Sequence, residues 1–108
     1  MNDKTIVAID PGSSSGALAA QVPGGSVLID NMPRDPIEIL AWLWGFRAPS
    51  AGGTVPAVCY MEDVGYQLPG NSARSTRTFV RHIGHLEMAL IACHIPRVAV
   101  LPVTWQRG

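Results

Sequence analysis

The chain has little that would tie it to an oxidising compartment, a membrane or a fibrous scaffold. Only two cysteines occur among its 108 residues. Cys59 and Cys93 sit in apolar surroundings at no paired spacing, which excludes a disulfide framework or a zinc set and suits buried thiols in a reducing compartment. No apolar run approaches the ~20 residues needed to cross a bilayer. The opening "MNDKTIVAID" carries an early acid and too short an apolar run for a secretory signal, so the expected location is cytoplasmic. There is no internal repeat and no low-complexity segment. Net charge is also lacking: eight basic residues balance eight acidic ones, so bulk charge alone gives no reason to bind a polyanion.

What is present suits one compact domain. Apolar residues make up 47% of the chain, enough for a core of its own. The zero net charge hides a division. Residues 1–63 carry three basic and seven acidic side chains, and residues 64–108 carry five arginines and one glutamate. Carboxylates in one half and guanidiniums in the other are what a metal-assisted nuclease needs, cations held by the first and phosphates by the second. Chance in a short chain is the competing explanation.

Strand and helix signals alternate in a readable order. "KTIVAID" (4–10) is a short β-branched run that reads as a buried strand. "GALAAQV" (16–22) is a second strand, weakened by its alanines, and "SVLIDNM" (26–32) is a third. Between them "VPGG" (22–25) places proline and glycine where a type II turn takes them. A helix is expected over 34–48, with Asp35 as N-cap, Pro36 at the first helical position and Glu38 completing a capping box. That helix is apolar nearly all round, so one face meets a sheet and the other needs a later element or a second subunit. "AVCYMEDV" (57–64) is a fourth strand, 65–71 a loop, 72–95 a long helix and "RVAVLPV" (97–103) a fifth strand. Phe79, Ile83, Leu86, Leu90 and Cys93 make the core stripe of the long helix. The order β-β-β-α-β-α-β predicts an α/β fold, a mixed five-stranded sheet with helices on its faces.

In that topology the first and fourth strands lie side by side and parallel. Asp10 and Glu62, at their C-terminal ends, then meet at one edge of the sheet. Two carboxylates brought together repel unless a proton or cation lies between them. A hard cation such as Mg²⁺, with Mn²⁺ as substitute, takes oxygen ligands and keeps positions open for water and phosphate. Paired ions bridged by such a carboxylate clamp both oxygens of a phosphodiester hydrolysis. The blander alternatives are an Asp-Pro-Gly turn for Asp10 and a solvated strand-end acid for Glu62.

"IVAIDPGSSSGALA", then "VCYMEDVGY" and a long helix, resembles the RuvC-like Holliday junction resolvases of the RNase H-like superfamily, in particular their phage and bacterial members. "LPVTWQR" (101–107) resembles the family's Pro-x-x-Trp-Lys segment. The resemblance spans nearly the whole chain, 1–108, as a single domain. It implies that Asp10 and Glu62 bind Mg²⁺ and are the catalytic carboxylates, that the substrate is branched DNA in four-way junctions, and that the active form is a homodimer. It also implies that Tyr66 is a DNA-facing aromatic able to stack on an unpaired base. The family's remaining acids lie on a C-terminal helix after the fifth strand. The sequence stops at Gly108, before such a helix, so a C-terminally truncated resolvase with weak metal binding and poor cleavage is expected.

Arg74, Arg77 and Arg81 fall at i, i+3 and i+7 of the long helix and share one face, with His85 continuing the row. Phosphate contact is the functional reading and a solvated helix face the alternative. Gly84 suggests close approach of another backbone. His82 and His94 read as structural, and Trp42 and Trp44 as core and interface residues instead of ligand stackers. Two other functions fit parts of the pattern. "DPGSSSG" also suits the phosphate hairpin of an actin-like ATPase lobe, although such proteins need two lobes. A non-catalytic nucleic-acid-binding or assembly module on the same scaffold is the third reading, and a ribosomal-RNA processing nuclease shares the first motif.

Overall fold

A computed structural model describes residues 3–63 and 73–100; Tyr66 and the 101–107 segment lie outside the described residues. Five strands and two α-helices follow in the expected order. They are β1 (Thr5–Asp10), β2 (Ala17–Gln21), β3 (Val27–Asn31), α1 (Pro36–Trp44), β4 (Ala57–Glu62), α2 (Ala73–Ala92) and β5 (Arg97–Val100). The sheet order is β3-β2-β1-β4-β5. β1, β2 and β3 form an antiparallel meander, and β1, β4 and β5 run parallel.

Local chemistry sets most of the boundaries. The β2–β3 turn closes with Gly25 N–H donating to Val22 O at 3.0 Å, with Gly24 at φ +73°, as a type II turn requires. Asp35 caps α1, its carboxylate accepting from Ile37 N–H at 2.9 Å. Glu38 does not return the bond among the described residues, so only half of the capping box forms. α1 stops at Trp44, short of 48, and a single 3₁₀ turn, Pro49–Ala51, follows. α2 ends through paired bonds, Ile95 N–H to Leu90 O and His94 N–H to Ile91 O, with His94 at φ +54°. That is a Schellman arrangement with histidine where glycine usually stands. Ser50 Oγ holds His94 Nδ1 at 2.8 Å, tying the helix end to the 3₁₀ turn.

Strand alternation sends Val7, Ile9, Leu18, Ala20, Cys59 and Met61 to one face of the sheet, all buried. Ile39 and Leu43 of α1 and Leu86, Ala89 and Leu90 of α2 join them in one cluster. Each large side chain buried there contributes ~1.5–3 kcal/mol. Trp42 packs on this cluster, stacks at a tilt on Phe46 with centroids 5.0 Å apart, and donates its indole N–H to Asp30 at 2.8 Å. Both described helices therefore lie on one face. The opposite face carries Ile6, Ala8, Ala17, Ala19, Val58 and Tyr60, each partly or largely exposed.

Candidate active site at the ends of β1 and β4

Asp10 and Glu62 come together because the two parallel strands are paired in register. The ladder sets Ile9 beside Met61, so the next rung places Asp10 beside Glu62, one inter-strand spacing of ~4.8 Å away. Alternation then fixes the side. Ile9 and Met61 point into the core, so Asp10 and Glu62 both project onto the opposite, open face. They line one shallow cavity of about 330 Å³ with Ala8, Ala17, Ala19 and Tyr60. No ion pair among the described residues neutralises either carboxylate; Arg97 pairs with Glu87 instead, at 2.9 Å.

The alanines that weaken β2 as a strand explain the cavity. Ala17 pairs with Asp10 and Ala19 with Ala8, so on the β2 side the ground in front of the carboxylates holds only methyl groups. A larger residue at 17 would fill it. This signal was available in the sequence as the small-residue spacing of "GALAAQ", and periodicity alone does not reveal it.

The loop after Asp10 is constrained by close backbone approach. A Cβ on Gly16 would lie under 3.0 Å from Gly12 N and Gly12 O and would also meet Asp10 O, so only glycine fits. Gly16 N–H closes the loop on Gly12 O at 3.1 Å. The backbone that carries Asp10 into its turn is thereby fixed.

The remaining expected site residues are placed less uniformly. Arg74, Arg77 and Arg81 are all exposed on α2, and Arg74 lines a cleft with the loop after β1. His85 keeps the helical spacing that continues the row and is exposed like the arginines. It lines an apolar groove with Pro36, Ile37, Leu40, Met88 and Ala92, because α1 crosses α2 at that turn. A Cβ on Gly84 would have nothing within 4 Å, so no described backbone approaches it. Tyr66 falls outside the described residues.

The buried titratable groups stand apart from this site. Burial pushes the Cys59 thiol up to about 12, against the opposing pull of Arg97, and raises Cys93 as well. Burial and then the neighbouring His85 lower His82, whose Nε2 has no hydrogen-bond partner among the described residues. None of the three faces the carboxylates. Two oxygen ligands on an open face suit a hard divalent cation that keeps most of its water shell. Among the described residues no third histidine, cysteine or acid joins them, and no helix is long and apolar enough to cross a membrane.

No protein-family model matches the sequence, and no curated protein matches it. Solved structures do. RuvC from T. thermophilus in complex with Holliday junction substrate superposes at a TM-score of 0.65 and 14% identity, covering 96% of this chain and 68% of that one. A second Thermus thermophilus RuvC structure gives 0.58 and 17%, covering 95% and 67%. At such identities the likeness is one of architecture: this chain has the RNase H-like fold seen in RuvC.

Proposed function

We propose that the chain is a divalent-metal-dependent endonuclease that cuts branched DNA, with the four-way junction as its substrate. The observation that carries this reading is the in-register pairing of β1 with β4, which sets Asp10 and Glu62 on one open face. In support, RuvC in complex with Holliday junction substrate is among the solved structures that share this fold, at a TM-score of 0.65.

Asp10 and Glu62 would hold Mg²⁺ or Mn²⁺. When bound, the cation supplies charge neutralisation at the phosphoryl oxygens and a more acidic water. Asp10, anchored by the glycine-closed loop, holds one carboxylate fixed beside the scissile phosphate. Glu62, beside it on β4, holds the second, and the alanine floor leaves room for the sugar. Arg74, Arg77 and Arg81 position the duplex through its phosphates without reading bases, and Tyr66 stacks on a base at the branch point.

A four-way junction has two equivalent strands to cut, so the reading includes a homodimer. The outer surface of α1 and α2 exposes Ile37, Leu40, Trp44, Met88 and Ile91, an apolar surface that a second copy would cover.

The alternative of a non-catalytic DNA-binding module is favoured by the pairing of only two acids among the described residues. One experiment separates the two. A synthetic four-way junction, labelled on each strand in turn, is incubated with the chain in EDTA, Mg²⁺ or Mn²⁺. Paired incisions near the branch point, even slow ones, that need metal and disappear in Asp10→Asn and Glu62→Gln support the nuclease. Tight junction binding with no incision in either metal supports the module. Neither binding nor incision overturns both.

A further inference from the structure

The acidic pair occupies one side of the sheet edge; a second cleft of different chemistry lies on the other. It is about 560 Å³ in volume and runs between the loop after β1 and the first turns of α2, lined by Gly12, Ser13, Ser14, Ser15, Arg74 and Phe79 among others. Among the described residues no carboxylate lines it, and Arg74 is the one charged group that does. A hard cation has nothing to bind there, whereas an anion does.

The donors are uncommitted. Among the described residues no group hydrogen-bonds to Ser13, Ser14 or Ser15, through side chain or backbone. The Arg74 guanidinium likewise has no ion-pair partner there. Three consecutive serines offer hydroxyl and amide N–H groups from a loop that Gly12 and Gly16 fix in shape, so little order is lost when they close on a ligand. A forked guanidinium beside them matches the oxygens of a phosphate. Thr78 does not add a donor, because its hydroxyl already donates to Arg74 O at 3.0 Å. That bond helps to define the turn that carries Arg74.

Position narrows the ligand further. Ser13 is three residues from Asp10, so the two α-carbons are at most ~11 Å apart, and Asp10 lies at the sheet edge between cleft and cavity. A nucleic-acid strand crossing that edge would present one phosphate to the carboxylates and its neighbour to the serines. We infer that the cleft between the Ser13–Ser15 loop and Arg74 is a binding site for a backbone phosphodiester adjacent to the one held at Asp10 and Glu62. This rests on the nuclease reading and adds to it a positioning subsite. Ser13, Ser14, Ser15 and Arg74 set where the strand lies, and the carboxylates set where it is cut.

The test has two arms. In the first, amide resonances of Ser13, Ser14 and Ser15 are followed while dimethyl phosphate, and separately inorganic phosphate, is titrated into the full chain. In the second, junction affinity is measured against salt for wild type, Arg74→Ala, the triple variant Ser13→Ala/Ser14→Ala/Ser15→Ala, and their combination. Circular dichroism confirms that each is folded. The expected result is movement of the three amides with the diester and ~10-fold weaker junction binding in each variant. The logarithmic salt slope should fall by about one for Arg74→Ala and stay unchanged for the serine triple. The combined loss should be smaller than the product of the separate losses, since both clamp the same phosphate. Amides that respond to inorganic phosphate alone, with junction binding untouched by the variants, reduce the cleft to a free-anion site and overturn the inference. Junction binding that depends on Asp10 and Glu62 with metal but not on the cleft overturns the inference and leaves the nuclease reading standing. A wild-type chain that binds no junction at any salt removes both.

Discussion

Asp10→Asn should make the metal-free protein more stable while destroying its response to magnesium. Asp10 and Glu62 each follow the Ile9–Met61 pair on adjacent parallel strands, so they face each other across one strand spacing of ~5 Å. On an open, solvated face the water value of the dielectric applies, and two unit negative charges at that distance repel by about 0.8 kcal/mol. Asparagine keeps the size and removes the charge, so the variant should gain that amount at low ionic strength. For a domain of this size that is a rise of roughly 3–6 °C in Tm. The wild type should recover more by binding cation. A site half-saturated at about 1 mM gains about 1.4 kcal/mol in 10 mM Mg²⁺, and the variant should gain almost nothing. Differential scanning calorimetry in EDTA and in Mg²⁺, at low and high NaCl, reads all of this. High salt should shrink the advantage of the variant, because exposed charges are screened. An Asp10→Asn protein no more stable than wild type in EDTA, together with a wild type indifferent to Mg²⁺, would refute the convergence of the two carboxylates.

Three further outcomes follow from other parts of the molecule. Gly84→Ala should stabilise by about 1 kcal/mol in denaturant titration, because the position is helix interior with open space at Cβ; destabilisation would mean that something covers it. Stability should be full above pH ~6.5 and fall as pH drops below it, because His82 is held neutral in the folded chain and takes a proton more readily when unfolded. His82→Leu should flatten that decline, and an unchanged Tm profile between pH 5 and 8 would contradict it. Cys59, fully buried with its thiol pushed up to about 12, should resist iodoacetamide at pH 8 until the protein is unfolded; rapid labelling of the native chain would show the core to be open there.

The sheet was legible because its signals are local and mutually consistent. The β-branched run 4–10, the Val22–Gly25 turn and the Asp35-Pro36 helix start each follow from the chemistry of a few neighbouring residues. The pairing of Asp10 with Glu62 was legible one step further on, since a meander followed by a crossover leaves β4 free to lie beside β1. Other features depend on tertiary context that composition does not carry. His94 adopts the left-handed conformation at the end of α2 with Ser50, 44 residues away, holding its ring. His85 has the helical spacing of the arginine row and also lines the groove against α1, a contact that spacing alone does not reveal. Gly84 suggested a packed neighbour and has none among the described residues, as a glycine's reason for being in a helix is not written in its own side chain. That both described helices cover the same face, leaving the carboxylates on the other, follows only once the register fixes which alternate residues point inward.

The most direct measurement is Mn²⁺ binding by electron paramagnetic resonance, comparing wild type with Asp10→Asn and Glu62→Gln under conditions where all three are folded. The account predicts that the wild type removes free Mn²⁺ signal saturably and that either single substitution abolishes the effect. Equal Mn²⁺ binding by all three chains would place the cation elsewhere and contradict the account.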